Sequence, residues 1–264
     1  MNTKTTSSIL VIDIGGTNVK VLGPRRDQVI KIPSGQTMTP SKMVKEVRHA
    51  LGQTKYSHIS IGYPGPVIAG RVVSEPHNLG QGWVGFDFEK AFGRPVKLIN
   101  DAALQAVGSY EGGRMLFLGL GTGLGSALIV DGMIEPMELA HLPYKKGRTY
   151  EDYVGARGLE RLGKKKWRRH VLRAVKQLGA AMQADYVVLG GGNARRMKEL
   201  PPNVRLGQNS NAYVGGCRLW QDASEVSRAH TDSMSTSASV SGHRNSRSLP
   251  SKDHRVRDHL FRSG

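Results

Sequence analysis

The chain has one cysteine, Cys217, in 264 residues. That excludes an internal disulfide and a cysteine-rich zinc site, and it suits a reducing compartment. No apolar run approaches the ~18 residues of a membrane span. The N-terminus, one lysine among threonines and serines before an apolar run broken by Asp13, does not read as a signal peptide. These absences lead to the expectation of a cytoplasmic protein with no membrane partner. Acids are also scarce: 21 Asp and Glu stand against 38 Lys and Arg, a net charge of +17. The last 44 residues carry seven basic and five acidic side chains, so the excess belongs to the rest of the chain. Twelve Lys and Arg with three acids fall between Lys145 and Lys176, around "GKKKWRRH". Such a block is either a solvated helix face or a surface for a polyanion. Nucleic acid is not the expected partner, because only Trp167 interrupts the lysines and arginines and no reading module is present.

The length fits one or two domains. "VIDIGGTNVKV" reads as a hairpin, two apolar strands around Gly15, Gly16 and Thr17, with glycine supplying the positive φ that a tight turn uses. "YSHISIGYPGPV" gives a strand over His58 to Gly62 that ends in a Pro-Gly-Pro turn. "RPVKLINDAALQAVGSY" gives a strand, Val96 to Ile99, and a helix from about Asp101. "RMLFLGLGTGLGSALIVDG" is a second glycine hairpin. "HVLRAVKQLGAAMQADYVVLGGGNARRM" reads as an amphipathic helix, a short strand, and a glycine turn into another helix. Strands and helices alternate, so the fold class is α/β. Residues 221–264, rich in Ser, His and Arg without period, are expected to be disordered.

A glycine turn presents backbone N–H groups with no side chain in the way, and two such turns can hold a chain of phosphates. Asp13, a carboxylate inside a buried strand at the lip of the first turn, has no evident structural use. Asp101 either caps its helix or serves as a base, for a carboxylate within reach of a hydroxyl can take its proton as that oxygen attacks phosphorus.

Taken in order, "VIDIGGTNVKV", "GYPGPV", "INDAALQAVGSY", "LGLGTGLGSALIVDG", "ELAH" and "VVLGGGNA" resemble the ROK sugar kinases of the actin, Hsp70 and hexokinase superfamily, and most closely their polyphosphate-glucokinase-like branch. The resemblance runs from about Ile9 to Trp220. It implies two ribonuclease-H-like lobes around a central cleft: residues 1–105 with the first turn, residues 106–220 with the second, and the tail 221–264 outside both.

The resemblance also assigns roles. Asp101 matches the general base that activates the 6-hydroxyl of glucose, and Asn100, Glu138, His141 and Glu151 match sugar contacts. Gly15, Gly16, Thr17, Lys20, Gly121, Thr122 and Gly123 fall at the donor phosphates, and Gly190, Gly191, Gly192 and Asn193 at the adenosine side. Asp13 matches the carboxylate that holds Mg²⁺ through water. Met137 and Ala140 stand where the family usually has glycines, and "KKGRTY" replaces its Cys-rich loop, so no zinc is expected. The implied partners are glucose or a related hexose and polyphosphate and/or ATP, with a homodimer among the options. The family's repressors carry a DNA-reading domain ahead of the first strand. Only eight residues precede Ile9 here, which favours the enzyme over the regulator.

Overall fold

A computed structural model of the chain describes residues 8–23, 29–208 and 210–221. The segment expected to be disordered lies, from residue 222, outside them. β1 (Ile9–Ile14) is buried at every position because neighbours pair with both its edges. It turns through Gly15–Thr17 into β2 (Asn18–Leu22), which pairs antiparallel with Asp13 opposite Lys20, and β3 (Val29–Pro33) extends that edge. α1 (Pro40–Leu51) starts at Thr39, whose hydroxyl accepts from Lys42 N, with proline in the first turn. Its Met43, Val44, Val47 and Leu51 recur at helical spacing and are buried against the sheet. β4 (His58–Tyr63) runs parallel to β1. A small ribbon follows, β5 (Val67–Ile68) with β6 (Arg71–Val72), then α2 (Phe88–Phe92) and β7 (Val96–Asn100), parallel to β4. α3 (Asp101–Ser109) leaves directly from the end of β7.

The second half repeats this plan. β8 (Arg114–Leu120), β9 (Leu124–Val130) and β10 (Met133–Met137) form the antiparallel part. A hairpin, β11 (Pro143–Lys145) with β12 (Arg148–Thr149), leads to α4 (Tyr150–Val154) and α5 (Ala156–Ala181). β13 (Tyr186–Gly190) and β14 (Val204–Leu206) continue the sheet in parallel, and α6 (Asn211–Arg218) is the last described helix. The strand orders are β3-β2-β1-β4-β7 and β10-β9-β8-β13-β14. In both sheets a hairpin and its edge strand are followed by two parallel strands, the duplicated α/β plan expected of two ribonuclease-H-like lobes.

α3 joins the halves: it packs on β4 and β7 of the first sheet and on β8 and β9 of the second. α6, which the sequence reading missed, crosses α3 and also packs on β1 and β4. A Cβ on Gly108 of α3 would overlap the Asn211 carbonyl, and one on Gly215 of α6 would overlap that of Leu104. The two backbones therefore touch. Ser60 Oγ, 2.7 Å from the Gly216 carbonyl, and Trp220 Nε1, 2.9 Å from Ser60 Oγ, fasten α6 to the first sheet.

Two expectations are corrected further along. α5 begins at Ala156, well before His170, and Gly163 (φ 70°, ψ 160°) breaks it into two helices. Trp167, the one aromatic in the basic run, is fully buried, and its indole N–H donates to Val154 O at 2.9 Å. After β13 the glycine turn enters only a single 3₁₀ turn, Ala194–Arg196.

Candidate active site

At the first turn, glycine is needed for space rather than for positive φ, which neither Gly15 nor Gly16 has. A Cβ on Gly15 would lie 2.9 Å from Asn18 O, the partner of Gly15 N, and one on Gly16 would lie 3.0 Å from Asn78 Cβ. Ser34 Oγ donates to Gly15 O at 2.6 Å and braces the turn from β3's end. Ser34 and Asn78 escaped the sequence reading. The one signal for Asn78 was its turn-like setting between Pro76 and Gly80. Asp13 is buried just below the turn, and Lys20, opposite it in the hairpin, places Nζ 2.9 Å from its Oδ2. The lysine is half exposed, so its charge meets both the carboxylate and solvent.

Asp101 sits at the start of α3, and Asn100 rather than Asp101 caps that helix. Asn100 Oδ1 accepts from Ala102 N (2.9 Å) and Ala103 N (3.1 Å), while Nδ2 donates to Gly65 O (3.1 Å) in the Pro-Gly-Pro turn. With most of its carboxamide committed to backbone, Asn100 is first of all a brace. Asn100→Ala is expected to cost about 0.5–2 kcal/mol, read as a lower urea midpoint with an unchanged slope; an unaltered midpoint would refute the brace. Gly62 of β4 gives Asp101 its room: a Cβ there would come within 3.2 Å of Asp101 Cα and 2.8 Å of Leu104 Cδ2. Burial first, and then the neighbouring Asp13 carboxylate, push the Asp101 carboxyl up to about 7, although Ala102 N donates to its Oδ1 at 2.8 Å.

Gly121, Thr122 and Gly123 link β8 to β9, and Gly125 lies so close to α3 that a Cβ would approach Ala102 Cβ to 2.8 Å. The second turn thus abuts the same helix start that carries Asp101. The third turn joins it. Asn193 N donates to Leu120 O at 2.9 Å, its Nδ2 to Gly121 O at 3.2 Å, and Arg196 Nε to its Oδ1 at 3.0 Å. Gly191 has φ 77° and passes Leu120 at backbone distance, whereas Gly190 is packed on Phe117 and Gly192 is open.

Glu138 and His141 flank two buried residues, Leu139 and Ala140, and project outward with 3.7 Å between Oε1 and Nε2. Leu139 N is held by Ser126 Oγ at 3.2 Å. Glu151 connects this loop to the second turn. Its N–H donates to Ala140 O at 3.0 Å, and its Oε2 accepts from Leu124 N at 3.2 Å, filling the space beside Gly123. The glutamate matched to the sugar therefore lies on the second glycine turn here, with Arg157 3.7 Å from its other oxygen. In place of a Cys-rich loop the β11–β12 hairpin packs by aromatic contact: Tyr144 lies 4.7 Å from Tyr150 and 5.0 Å from Tyr153, ring centre to ring centre.

Among the described residues no group of three or more His, Cys, Asp or Glu gathers, so a metal held wholly by side chains does not fit. Asp13 and Asp101, two carboxylates near enough to repel, do fit an ion that keeps most of its waters and takes its other ligands from a bound phosphate.

Known proteins resemble this chain in sequence and in fold. Residues 9–135 match the model of the ROK family. A polyphosphate glucokinase of Mycobacterium leprae (strain TN) is 30% identical over 209 residues, 70% of this chain. The chain spans 63% of that relative's length. A polyphosphate glucokinase of Mycobacterium tuberculosis (strain ATCC 25618 / H37Rv) is 27% identical over 219 residues, 72% of this chain and 80% of that one. Among solved structures, the inorganic polyphosphate/ATP-glucomannokinase of Arthrobacter sp. strain KM superposes with a TM-score of 0.68 at 26% identity, covering 85% of this chain and 100% of that one. A ROK family glucokinase of Streptomyces griseus, solved with glucose and AMPPNP, gives 0.60 at 16% identity over 81% and 99%, a likeness of fold.

Proposed function

The chain belongs to the ROK family, and on that premise we propose that it is a sugar kinase that transfers a phosphoryl group from polyphosphate and/or ATP to the 6-hydroxyl of glucose or a related hexose. The observation that carries the reading is Asp101: a carboxyl pushed up to about 7 by burial and by the Asp13 carboxylate below the first glycine turn, at a helix start that abuts the second. A base with proton affinity near neutral pH is ionised often enough to accept a proton and basic enough to do so well. Asp101 takes the hydroxyl proton as the sugar oxygen bonds to phosphorus and the bond to the rest of the donor breaks.

Glu138 and His141 supply an acceptor and a donor for sugar hydroxyls, and Asn100 keeps one N–H for the same purpose. The turns at Gly15–Thr17 and Gly121–Gly123, with Lys20, hold the donor phosphates, and Gly190–Asn193 lie where an adenosine would end. Asp13, through water, would hold Mg²⁺, which offsets donor charge. Glu151 must release the Leu124 amide for that N–H to reach a phosphate. Its link to Ala140 gives the sugar loop a mechanical path to the donor turn.

The test is a panel of donors (ATP, tripolyphosphate, long-chain polyphosphate) and sugars (glucose, mannose, N-acetylated hexoses) with magnesium, reading sugar phosphate. Product from glucose with at least one donor is expected, surviving a zinc-selective chelator. No product from any pair would overturn the kinase reading. Glu138→Ala and His141→Ala are expected to raise KM for the sugar at least tenfold while leaving KM for the donor within about twofold. The reverse pattern would remove both residues from the sugar site.

A further inference from the structure

The twelve basic residues between Lys145 and Lys176 do not form one surface. Arg168 is half-buried and spends its Nε on Arg196 O at 2.6 Å, so it braces the third glycine turn. On another side of α5, His170 makes its Nδ1 contact with the Tyr144 hydroxyl at 2.9 Å and stacks on Tyr153 at 4.7 Å. Four cations surround this pair. Lys145 follows Tyr144 on β11, Arg169 precedes His170, Arg173 lies three residues beyond it and near enough to Tyr144 for its charge to act on that hydroxyl, and Arg161 lies 5.1 Å over the Tyr153 ring.

None of the four forms an ion pair with a carboxylate among the described residues. The acids on the same elements are engaged or solvated. Glu151 is turned to Leu124 N, Asp152 closes a capping box with Thr149, and Glu160 is exposed. Burial first, then Lys145, Arg173, Arg169 and Arg161 in turn, hold His170 below the usual imidazole range. Lys145, Arg161, Arg169 and Arg173 are all exposed. Four like charges gathered around one half-buried imidazole without a counter-charge repel one another unless an anion joins them.

We propose that Lys145, Arg161, Arg169 and Arg173, grouped around Tyr144 and His170, form a binding site for phosphate oxyanions, separate from the glycine turns. Arginine forks and a tyrosine hydroxyl suit phosphate oxygens. The site stands on its own geometry; assigning it the distal part of a long polyphosphate donor rests on the kinase reading. The hairpin that carries Tyr144 and Lys145 starts two residues after His141, so the site follows directly along the chain from the proposed sugar loop.

Binding is measured on the full chain without sugar or magnesium, so a failed kinase assay leaves the result readable. Calorimetry with long-chain polyphosphate and with tripolyphosphate compares the protein with Lys145→Gln/Arg169→Gln, two exposed side chains that make no hydrogen bond or ion pair among the described residues; Arg169→Gln alone serves if the double variant misfolds. The variant is expected to lose at least tenfold in affinity for the long chain, more at low salt than at high salt, and a smaller factor for tripolyphosphate, which carries fewer charges. In parallel, NMR of the imidazoles follows the His170 titration, which should move to higher pH when the anion binds, since a negative charge favours the protonated ring. A shift with millimolar inorganic phosphate alone supports a free-phosphate site; a shift only with the long chain supports the distal-polyphosphate assignment. Unchanged long-chain affinity in the variant, or a His170 titration that neither anion moves, overturns the site.

Discussion

Asp101→Asn is expected to lower kcat by about 10²–10⁴-fold while the sugar dissociation constant stays within a few fold, because the amide keeps the shape and loses the basicity. The sign of the pH dependence follows from the same group. Its carboxyl, raised to about 7, must be ionised to accept the hydroxyl proton. Wild-type kcat/KM should therefore fall as pH drops below about 7, and Asp101→Asn should lose that limb. Removing the Asp13 charge should shift the limb to lower pH, since Asp13 is the second cause of the elevation. Turnover near the wild-type level in Asp101→Asn, or an acid limb that survives the substitution, would assign the base elsewhere. Sugar binding has to be measured directly, by calorimetry or intrinsic fluorescence, because KM mixes binding with chemistry.

Gly215→Ala should be the most damaging small substitution far from any substrate. The added methyl falls on the Leu104 carbonyl of α3, and neither backbone can yield as a flexible side chain would. Overpacking of this kind costs about 1–3 kcal/mol, which lowers the melting temperature by roughly 2–4 °C per kcal/mol in a chain of this size. The effect should reach catalysis, because α3 carries Asp101 at its first position. Gly108→Ala, which presses the same crossing from the other helix, should behave alike, and the two together should destabilise less than additively, since one separation relieves both clashes. A melting temperature and kcat both within error of wild type in either variant would show that the helices part without consequence.

The local grammar of the chain was legible because it depends on short-range rules. Apolar alternation around Gly15–Thr17 and Gly121–Gly123 declared two hairpins, and the run into Asp101 declared a strand followed at once by a helix. The duplicated sheet order could be anticipated only through the family resemblance, for strand order is a property of partners far apart in sequence. α6 was missed for a physical reason: its Gly215 and Gly216 are poor helix formers, and what holds the helix is contact with α3, Val11 and Ser60, all at least a hundred residues away.

By itself the sequence determined the α/β class, the glycine turns and the lack of a thiolate cluster, since each follows from residue type and spacing; the candidate base came from the family resemblance. Only the tertiary structure decided which of two adjacent residues caps α3, that Glu151 rests on the second glycine turn beside Leu124, and that a run of like charges splits into a brace at Arg196 and a group around His170. Those outcomes depend on which backbone groups and charges meet across the fold, and hydrogen bonds and Coulomb forces act on distance in space, which one-dimensional spacing does not encode.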